Sequence, residues 1–125
     1  DSTESWKLQN IAAIPFRPVV WLMGISWRES EVAARLMGIK TILNEFVGYQ
    51  QLSLVAADEL TERSRIIITY AMCGFANLAS LALLTGGLTL MAPERKTEIT
   101  ELALKSIVSG TLATCMTGAV IAIII

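Results

Sequence analysis

The chain has 125 residues, a net charge of −1, no histidine and two cysteines, and 54% of its residues are hydrophobic. This composition excludes a disordered chain, a basic surface for nucleic acid, and any histidine-dependent catalytic or metal site. Two cysteines also cannot supply a disulfide framework or a four-cysteine zinc site. The mean hydropathy of +0.58 leaves an unusually apolar helical domain or a membrane protein.

The spacing of the charges separates these two classes. Residues 66–93 and 106–125 contain no charged side chain. A transmembrane helix needs about 20 mainly apolar residues, and each run is long enough to supply them. Soluble helices normally keep a polar face, so the two runs favour an all-α integral membrane protein.

The two ends of the sequence indicate a piece of a longer protein. The chain begins at Asp1 without a methionine or a signal-peptide pattern, and it stops at Ile125 inside an apolar run. Polar or aromatic anchors usually mark the end of a transmembrane helix, and none follows this one. We therefore expect a fragment, although a short final helix is the alternative.

Residues 6–25 are predicted to form an interfacial helix. The segment is apolar, but Arg17, Pro15 and Pro18 interrupt it. Proline inside a helix removes a hydrogen bond and kinks the helix, which argues against a full span. Trp6 and two further tryptophans in or beside the segment suit a membrane–water interface.

Residues 39–49 are predicted to contain the tip of a re-entrant helical hairpin. The polar pair Asn44 and Glu45 separates two apolar runs, each of about ten residues and therefore too short to span a bilayer. Non-helical backbone at membrane depth is tolerated only where it is buried in protein or lines a wet cavity. Two short half-helices meeting at a polar tip satisfy that condition.

Two transmembrane helices are predicted to follow, over residues 64–90 and 93–125. Residues 73–77 interrupt the first with glycine and asparagine, so this helix either unwinds within the membrane or stays continuous and packs closely at its glycines. The sequence leaves both alternatives open. The last helix starts near Pro93 and carries small residues suited to close helix contact: Gly110, Ala113, Thr114 and Gly118.

Glu45 is the strongest candidate for a functional residue. Placing a carboxylate at the centre of a membrane helix costs roughly 2.5 kcal/mol or more, so the group needs a partner, a proton or a polar ligand. The functional interpretation is contact with a ligand or a coupling ion. The structural alternative is an ion pair with Lys40 or Arg35.

Other polar and aromatic residues near the two interruptions are weaker candidates. Asn44 and Asn77 can donate and accept hydrogen bonds with a ligand, or they can link helices. Ser80 shares a helical face with Asn77, and Phe75 could stack on a flat ring, although an aromatic residue here also suits packing. The two cysteines are expected to be small hydrophobic residues. No nucleophile–base pair, phosphate loop or metal-ligand cluster is present, so an enzyme is not expected.

Three blocks of sequence resemble one membrane-protein family, the concentrative nucleoside transporters. Residues 38–49 read GIKTILNEFVGY and resemble the family pattern G-x-K-x-x-x-N-E-F-V-A, followed by an aromatic residue or methionine. Residues 70–80 read YAMCGFANLAS and resemble Y-A-L-C-G-F-A-N-x-x-S. Residues 86–96 read GGLTLMAPERK and resemble G-G-L-x-x-M-A-P-x-R followed by a basic residue. The main departure is Gly48, where the family has alanine.

The resemblance implies the C-terminal half of an inverted-repeat transport domain. It implies an interfacial helix over residues 6–25, a re-entrant hairpin over residues 27–57, a discontinuous helix over residues 64–90 and a last helix over residues 93–125. It implies that Glu45, Asn77 and Ser80 hydrogen-bond the ribose of a nucleoside and that Phe75 lies against the base. Transport would be coupled to sodium or a proton at a site outside this chain. The full-length protein would be a homotrimer spanning a plasma or bacterial inner membrane, with no nucleic-acid partner. The remaining alternative is a small membrane subunit with a structural or assembly role and no transport activity.

Overall fold

The computed structural model describes the backbone from residue 8 and the side chains from residue 11 to the last residue. Trp6, where the predicted interfacial helix begins, lies outside the described residues. All regular elements in the described part are helical, which confirms the all-α fold class. They are α1 Leu8–Ala13, α2 Phe16–Leu22, α3 Ser30–Ile42, α4 Glu45–Leu54, α5 Glu62–Met72, α6 Leu78–Met91, a 3-10 turn Pro93–Arg95, and α7 Lys96–Ile124.

The N-terminal segment contains two short helices, α1 and α2, where the sequence predicted one. Pro15 stands at the junction, as the residue before α2. Pro18 lies within the first turn of α2, where its missing N–H has no partner to lose. The guanidinium of Arg17 holds α2 against the start of α3, because it lies 4.8 Å from the ring centre of Trp27 and its Nε donates to Ser30 Oγ at 3.2 Å.

Helices α3 and α4 form the hairpin, and only residues 43–44 separate them. The two arms approach each other closely at Gly48. A Cβ atom placed there would lie 3.3 Å from the Cβ of Lys40 and 3.2 Å from the Sδ of Met72 on α5. Glycine therefore allows α3, α4 and α5 to meet at one point.

The broken helix consists of α5 and α6, and residues 73–77 between them are not helical. The structure thus decides between the two alternatives that the sequence left open. Helix α7 packs against α5 through Gly118, where an added Cβ would lie 3.2 Å from the carbonyl oxygen of Ile67. Of the small residues predicted to allow close helix contact, Gly118 is buried against α5, while Gly110 and Thr114 closely approach Ala76 and Gly74 in the helix break.

The two halves of the broken helix differ in burial. Helix α5 buries five residues, among them Ile67 and Ile68, whereas α6 buries none. By length and composition, one helix in the described part could cross a membrane unaided, Pro93–Ile124. The shorter apolar helix α6 ends immediately before it.

A polar network fastens the open end of the hairpin to the start of α5. We call Glu29, Thr61, Ser64 and Arg65 the hairpin base. Glu29 Oε1 accepts from the backbone N–H of Thr61 at 2.9 Å, and its Oε2 accepts from the hydroxyl of Ser64 at 2.5 Å. Arg65 donates to the carbonyl oxygens of Val55 and Ala56, where α4 has ended, at 2.6 and 2.8 Å. Glu29 and Arg65, the charged residues of the hairpin base, are thus both hydrogen-bonded to neutral groups.

Candidate functional site

The first half of the candidate site is the hairpin tip. Asn44 precedes α4 with an extended backbone, φ −165° and ψ 171°, and its Oδ1 accepts from the backbone N–H of Val47 at 2.9 Å. This is an asparagine N-cap, which satisfies one of the free N–H groups at the start of the helix. Glu45 is the first residue of α4, so its carboxylate lies at the positive end of the helix dipole.

The second half is the break between α5 and α6. Asn77 precedes α6 with an extended backbone, φ −146° and ψ 160°, and its Oδ1 accepts from the backbone N–H of Ser80 at 2.7 Å. Its side chain is fully buried. Asn77 thus caps α6 in the same way that Asn44 caps α4, and its amide nitrogen remains available as a donor.

One hydrogen bond joins the two halves. The Nδ2 of Asn77 donates to Oε2 of Glu45 at 3.1 Å, although 32 residues separate the two along the chain. The contact brings the N-terminus of α4 to the N-terminus of α6. The ion pair considered as the structural alternative for Glu45 is not formed, because neither Lys40 nor Arg35 makes a salt bridge with Glu45 among the described residues.

The polar groups at this junction keep unused hydrogen-bonding capacity. Within residues 11–125, Asn77 is the one side chain that donates to Glu45, and the hydroxyl of Ser80 bonds to no protein group. An ionised carboxylate has about four lone-pair positions, so Glu45 can accept further donors. The junction can therefore bind a ligand that carries hydroxyl or amide groups.

A cavity of about 700 Å³ lies beside the break, within the usual size range of small-molecule sites. Phe75, Asn77 and Ser80 line one side of it, and Ser106 and Gly110 of α7 lie on the other. Phe75 is 77% exposed, so it does not serve as packing within the described part of the chain. Its exposed faces can stack against a flat ring.

The five predicted site residues therefore fall into three groups. Phe75, Asn77 and Ser80 share the cavity, while Glu45 joins them through its hydrogen bond to Asn77. Asn44 lies outside the cavity lining, and its side-chain oxygen is occupied by the cap of α4. For a metal ion, residues 11–125 contain no cluster of three or more cysteine, aspartate or glutamate side chains.

Sequence reasoning considered Lys40 only as an ion-pair partner and missed its environment. Its side chain is fully buried, and its Nζ has no hydrogen-bond partner among the described residues. The one available signal was its position in the hairpin, five residues before Glu45 in the motif block.

Comparison with known proteins gives one family. The family model described as "Na+ dependent nucleoside transporter C-terminus" matches residues 1–122. Sodium/nucleoside cotransporter 1 of Mus musculus is 38% identical over 132 residues, covering 94% of this chain and 20% of the mouse protein. Nucleoside permease NupC of Helicobacter pylori is 42% identical over 121 residues, covering 94% of this chain and 29% of that protein.

Solved structures agree with the sequence relatives. CNTnw in an inward-facing substrate-bound state matches with a TM-score of 0.81 and 39% identity, over 93% of this chain and 29% of that one. A CNTnw variant in its intermediate 3 state matches with a TM-score of 0.84 and 35% identity, over 94% of this chain and 30% of that one. The chain thus spans less than a third of the length of these relatives.

Proposed function

Because this chain belongs to the family of Na+-dependent nucleoside transporters, we propose that it is the C-terminal part of a membrane transporter that carries nucleosides. The observation that carries the proposal is the hydrogen bond between Glu45 and Asn77, which joins two half-helix N-termini beside a cavity. Discontinuous helices that meet in this way form the substrate sites of many secondary transporters.

The chemistry of the junction suits the ribose of a nucleoside. Ribose presents vicinal hydroxyl groups, and an ionised carboxylate such as Glu45 accepts hydrogen bonds from them more strongly than a neutral group would. Asn77 and Ser80, whose hydroxyl bonds to no group among residues 11–125, add donors and acceptors on the cavity side. Buried polar groups that lose their partners are unfavourable, so the site would discriminate against ligands without the hydroxyls.

The base of the nucleoside would lie against Phe75, the exposed ring at the cavity mouth. Asn44 would hold the hairpin tip in shape and offer its amide nitrogen as a further ligand contact. Residues 27–57 would act as the re-entrant hairpin, residues 64–90 as the broken helix and residues 93–125 as the last transmembrane helix, with residues 6–25 at the interface.

We further infer symport coupled to sodium or a proton, with the ion site outside this chain. The complete protein would be a homotrimer in the cell membrane. A small structural or assembly subunit would account for the apolar helices, but it would require neither the carboxylate of Glu45 nor the open cavity.

Uptake of radiolabelled uridine and adenosine by cells expressing the full-length protein tests the proposal. We expect saturable uptake of at least one of them, driven by a sodium gradient or a pH gradient and competed by unlabelled nucleoside. Absence of uptake of either, with normal abundance of the protein in the membrane, would contradict nucleoside transport.

A further inference from the structure

Helix α7 forms the second wall of the cavity beside the helix break. Ser106 and Gly110, four residues apart and therefore on one helical face, line this wall. Ser106 is exposed, so its side chain is accessible from the cavity. The sequence signals that identified the hairpin tip and the break do not extend to α7, and a serine in an apolar helix is inconspicuous without its neighbours.

The register between α6 and α7 places Ser106 opposite Ser80. The two helices run antiparallel, since only residues 92–95 connect them. Gly110 lies opposite Ala76, because a Cβ atom built at Gly110 would be 3.1 Å from the Cβ of Ala76. Four residues forward from Ala76 lead to Ser80, and four residues back from Gly110 lead to Ser106. Both serines are therefore at one level of the helix pair, and both line the cavity.

A second region of the helix pair supports this register. Leu88 of α6 and Ile99 and Leu102 of α7 line a smaller cavity of about 410 Å³ near the turn between the helices. Positions closer to the turn on α6 thus face positions closer to the turn on α7, as an antiparallel pair requires.

The two facing hydroxyls differ in what they can still bind. The hydroxyl of Ser106 donates to the carbonyl oxygen of Ala103 at 2.6 Å, so its oxygen remains an acceptor. The hydroxyl of Ser80 bonds to no group among residues 11–125, so it can donate or accept. A ligand hydroxyl between the two serines can therefore donate to Ser106 and accept from Ser80.

We propose that Ser106 is a further substrate-contact residue, whose hydroxyl oxygen accepts a hydrogen bond from a ribose hydroxyl that Ser80 holds on its other side. This inference rests on the proposed function, since it concerns the same binding site. A ribose hydroxyl fits this position because Ser80 adjoins the carboxylate junction. Its backbone N–H donates to Asn77, and Asn77 donates to Glu45.

Binding of uridine and of its 2′-, 3′- and 5′-deoxy analogues to the purified full-length protein tests this contact. Ser106→Ala removes the acceptor and preserves the helix, since alanine is the better helix former. Ser109→Ala is the matched control. Ser109 is also an exposed serine of α7, and its hydroxyl donates to the carbonyl oxygen three residues earlier at 3.1 Å, but it does not line the cavity.

For Ser106→Ala we expect the Kd for uridine to rise by about three- to tenfold, the usual effect of one hydrogen bond between neutral groups. The same substitution should change the Kd by less than about twofold for the deoxy analogue that lacks the contacted hydroxyl. Ser109→Ala should leave every Kd within about twofold of the wild type. An unchanged Kd for uridine in Ser106→Ala, or an equal rise for uridine and all three analogues, would overturn the inference.

A double-variant cycle tests whether the two serines share one hydroxyl. The loss of affinity in the double variant Ser80→Ala, Ser106→Ala should differ by more than about twofold from the product of the two single losses, because groups that contact the same atom are coupled. Multiplicative losses would overturn the shared contact. Failure of the wild type to bind any nucleoside would instead contradict the proposed function, whereas normal binding by both the wild type and Ser106→Ala would contradict only the role of Ser106.

Discussion

Two glutamates at opposite ends of one hairpin have opposite degrees of hydrogen bonding. Glu29, in the hairpin base, accepts from the backbone N–H of Thr61 and from the hydroxyls of Thr61 and Ser64. Glu45, at the hairpin tip, accepts from a single side chain of the described protein, Asn77. Burial of a saturated carboxylate builds structure, whereas a carboxylate with open lone pairs can bind a ligand.

The pKa of Glu29, in the hairpin base, follows from these hydrogen bonds. Burial alone would raise the pKa of Glu29, but hydrogen bonds from Ser64, Thr61 and Ser26 outweigh it and hold the pKa below its ordinary value. Glu29 precedes α3 and lies outside the apolar spans. Glu29 therefore stabilises the fold in its ionised form, whereas Glu45 at the hairpin tip keeps acceptor positions open.

Substitution of Glu45 by glutamine should give the largest effect. It removes the charge at the tip, and hydrogen bonds to charged groups contribute about 1.5–3 kcal/mol each, or roughly tenfold to more than a hundredfold in affinity. We expect uridine uptake by the full-length protein to collapse, while the thermal midpoint of the purified protein stays near that of the wild type. Unchanged uptake at normal membrane abundance would contradict the site.

Asn77→Ala should affect both binding and stability. It removes the donor to Glu45 and the N-cap of α6, and loss of an asparagine cap costs about 1 kcal/mol. Uptake should fall by about tenfold or more, with a measurable decrease in the thermal midpoint. Asn44→Ala is the comparison variant, since it removes the matching cap of α4 without the donor to Glu45. A loss of uptake that only parallels the decrease in thermal midpoint in both variants would favour a purely structural role for the two asparagines.

Glu29→Gln should reverse the pattern of Glu45→Gln. A glutamine amide has one acceptor oxygen where the carboxylate of Glu29 has two. One hydrogen-bond donor of the hairpin base therefore loses its acceptor, which lowers stability by about 1–3 kcal/mol. The thermal midpoint should fall, while the KM for uridine remains within about twofold of the wild type. A raised KM with an unchanged midpoint would place Glu29 in the substrate site and would contradict the different roles assigned to Glu29 and Glu45.

The pH dependence of stability should reflect the ionisation of Glu29 in the hairpin base. A carboxyl group with a lowered folded-state pKa stabilises the folded protein above its unfolded-state pKa, and this contribution is lost as the pH falls through the folded-state value. The thermal midpoint of the purified protein should therefore decrease as the pH falls below about 4.5, the ordinary value for this carboxyl. Glu29→Gln should show a shallower decrease over the same range. Equal slopes for the wild type and Glu29→Gln would mean that Glu29 does not contribute to the pH dependence of the thermal midpoint.

Gly48→Ala should have the smallest effect. The added methyl would lie 3.2 Å from Met72 Sδ, a flexible thioether that can shift, and 3.3 Å from the Cβ of Lys40, so α3 and α4 need to separate by only a few tenths of an ångström. Alanine also favours a helix over glycine by about 0.5–1 kcal/mol, which offsets this strain. Stability should change by less than about 1 kcal/mol, with uptake retained. Gly118→Ala is the contrasting control, because its methyl would meet the carbonyl oxygen of Ile67, which cannot move aside. Similar effects of the two substitutions would contradict this account of their packing.

The sequence alone determined the membrane class, the polar pair at the hairpin tip and the interruption at residues 73–77. Each is a local signal: a charge-free run, a polar pair between apolar runs, or glycine and asparagine within an apolar segment. The motif blocks also marked Glu45 and Asn77 individually. The sequence could not decide whether the interrupted helix unwinds, because glycine suits both a break and a close helix contact.

Only the tertiary structure decided which polar residues meet and which are already satisfied. Nothing in the spacing of Glu45 and Asn77 along the chain shows that one donates to the other, since that contact depends on how the hairpin packs against the broken helix. The same holds for Glu29, which reads as an ordinary surface charge until α5 brings its donors. Hydrogen-bond saturation depends on neighbours in three dimensions, and it separates the fully hydrogen-bonded Glu29 from Glu45, which keeps open acceptor positions.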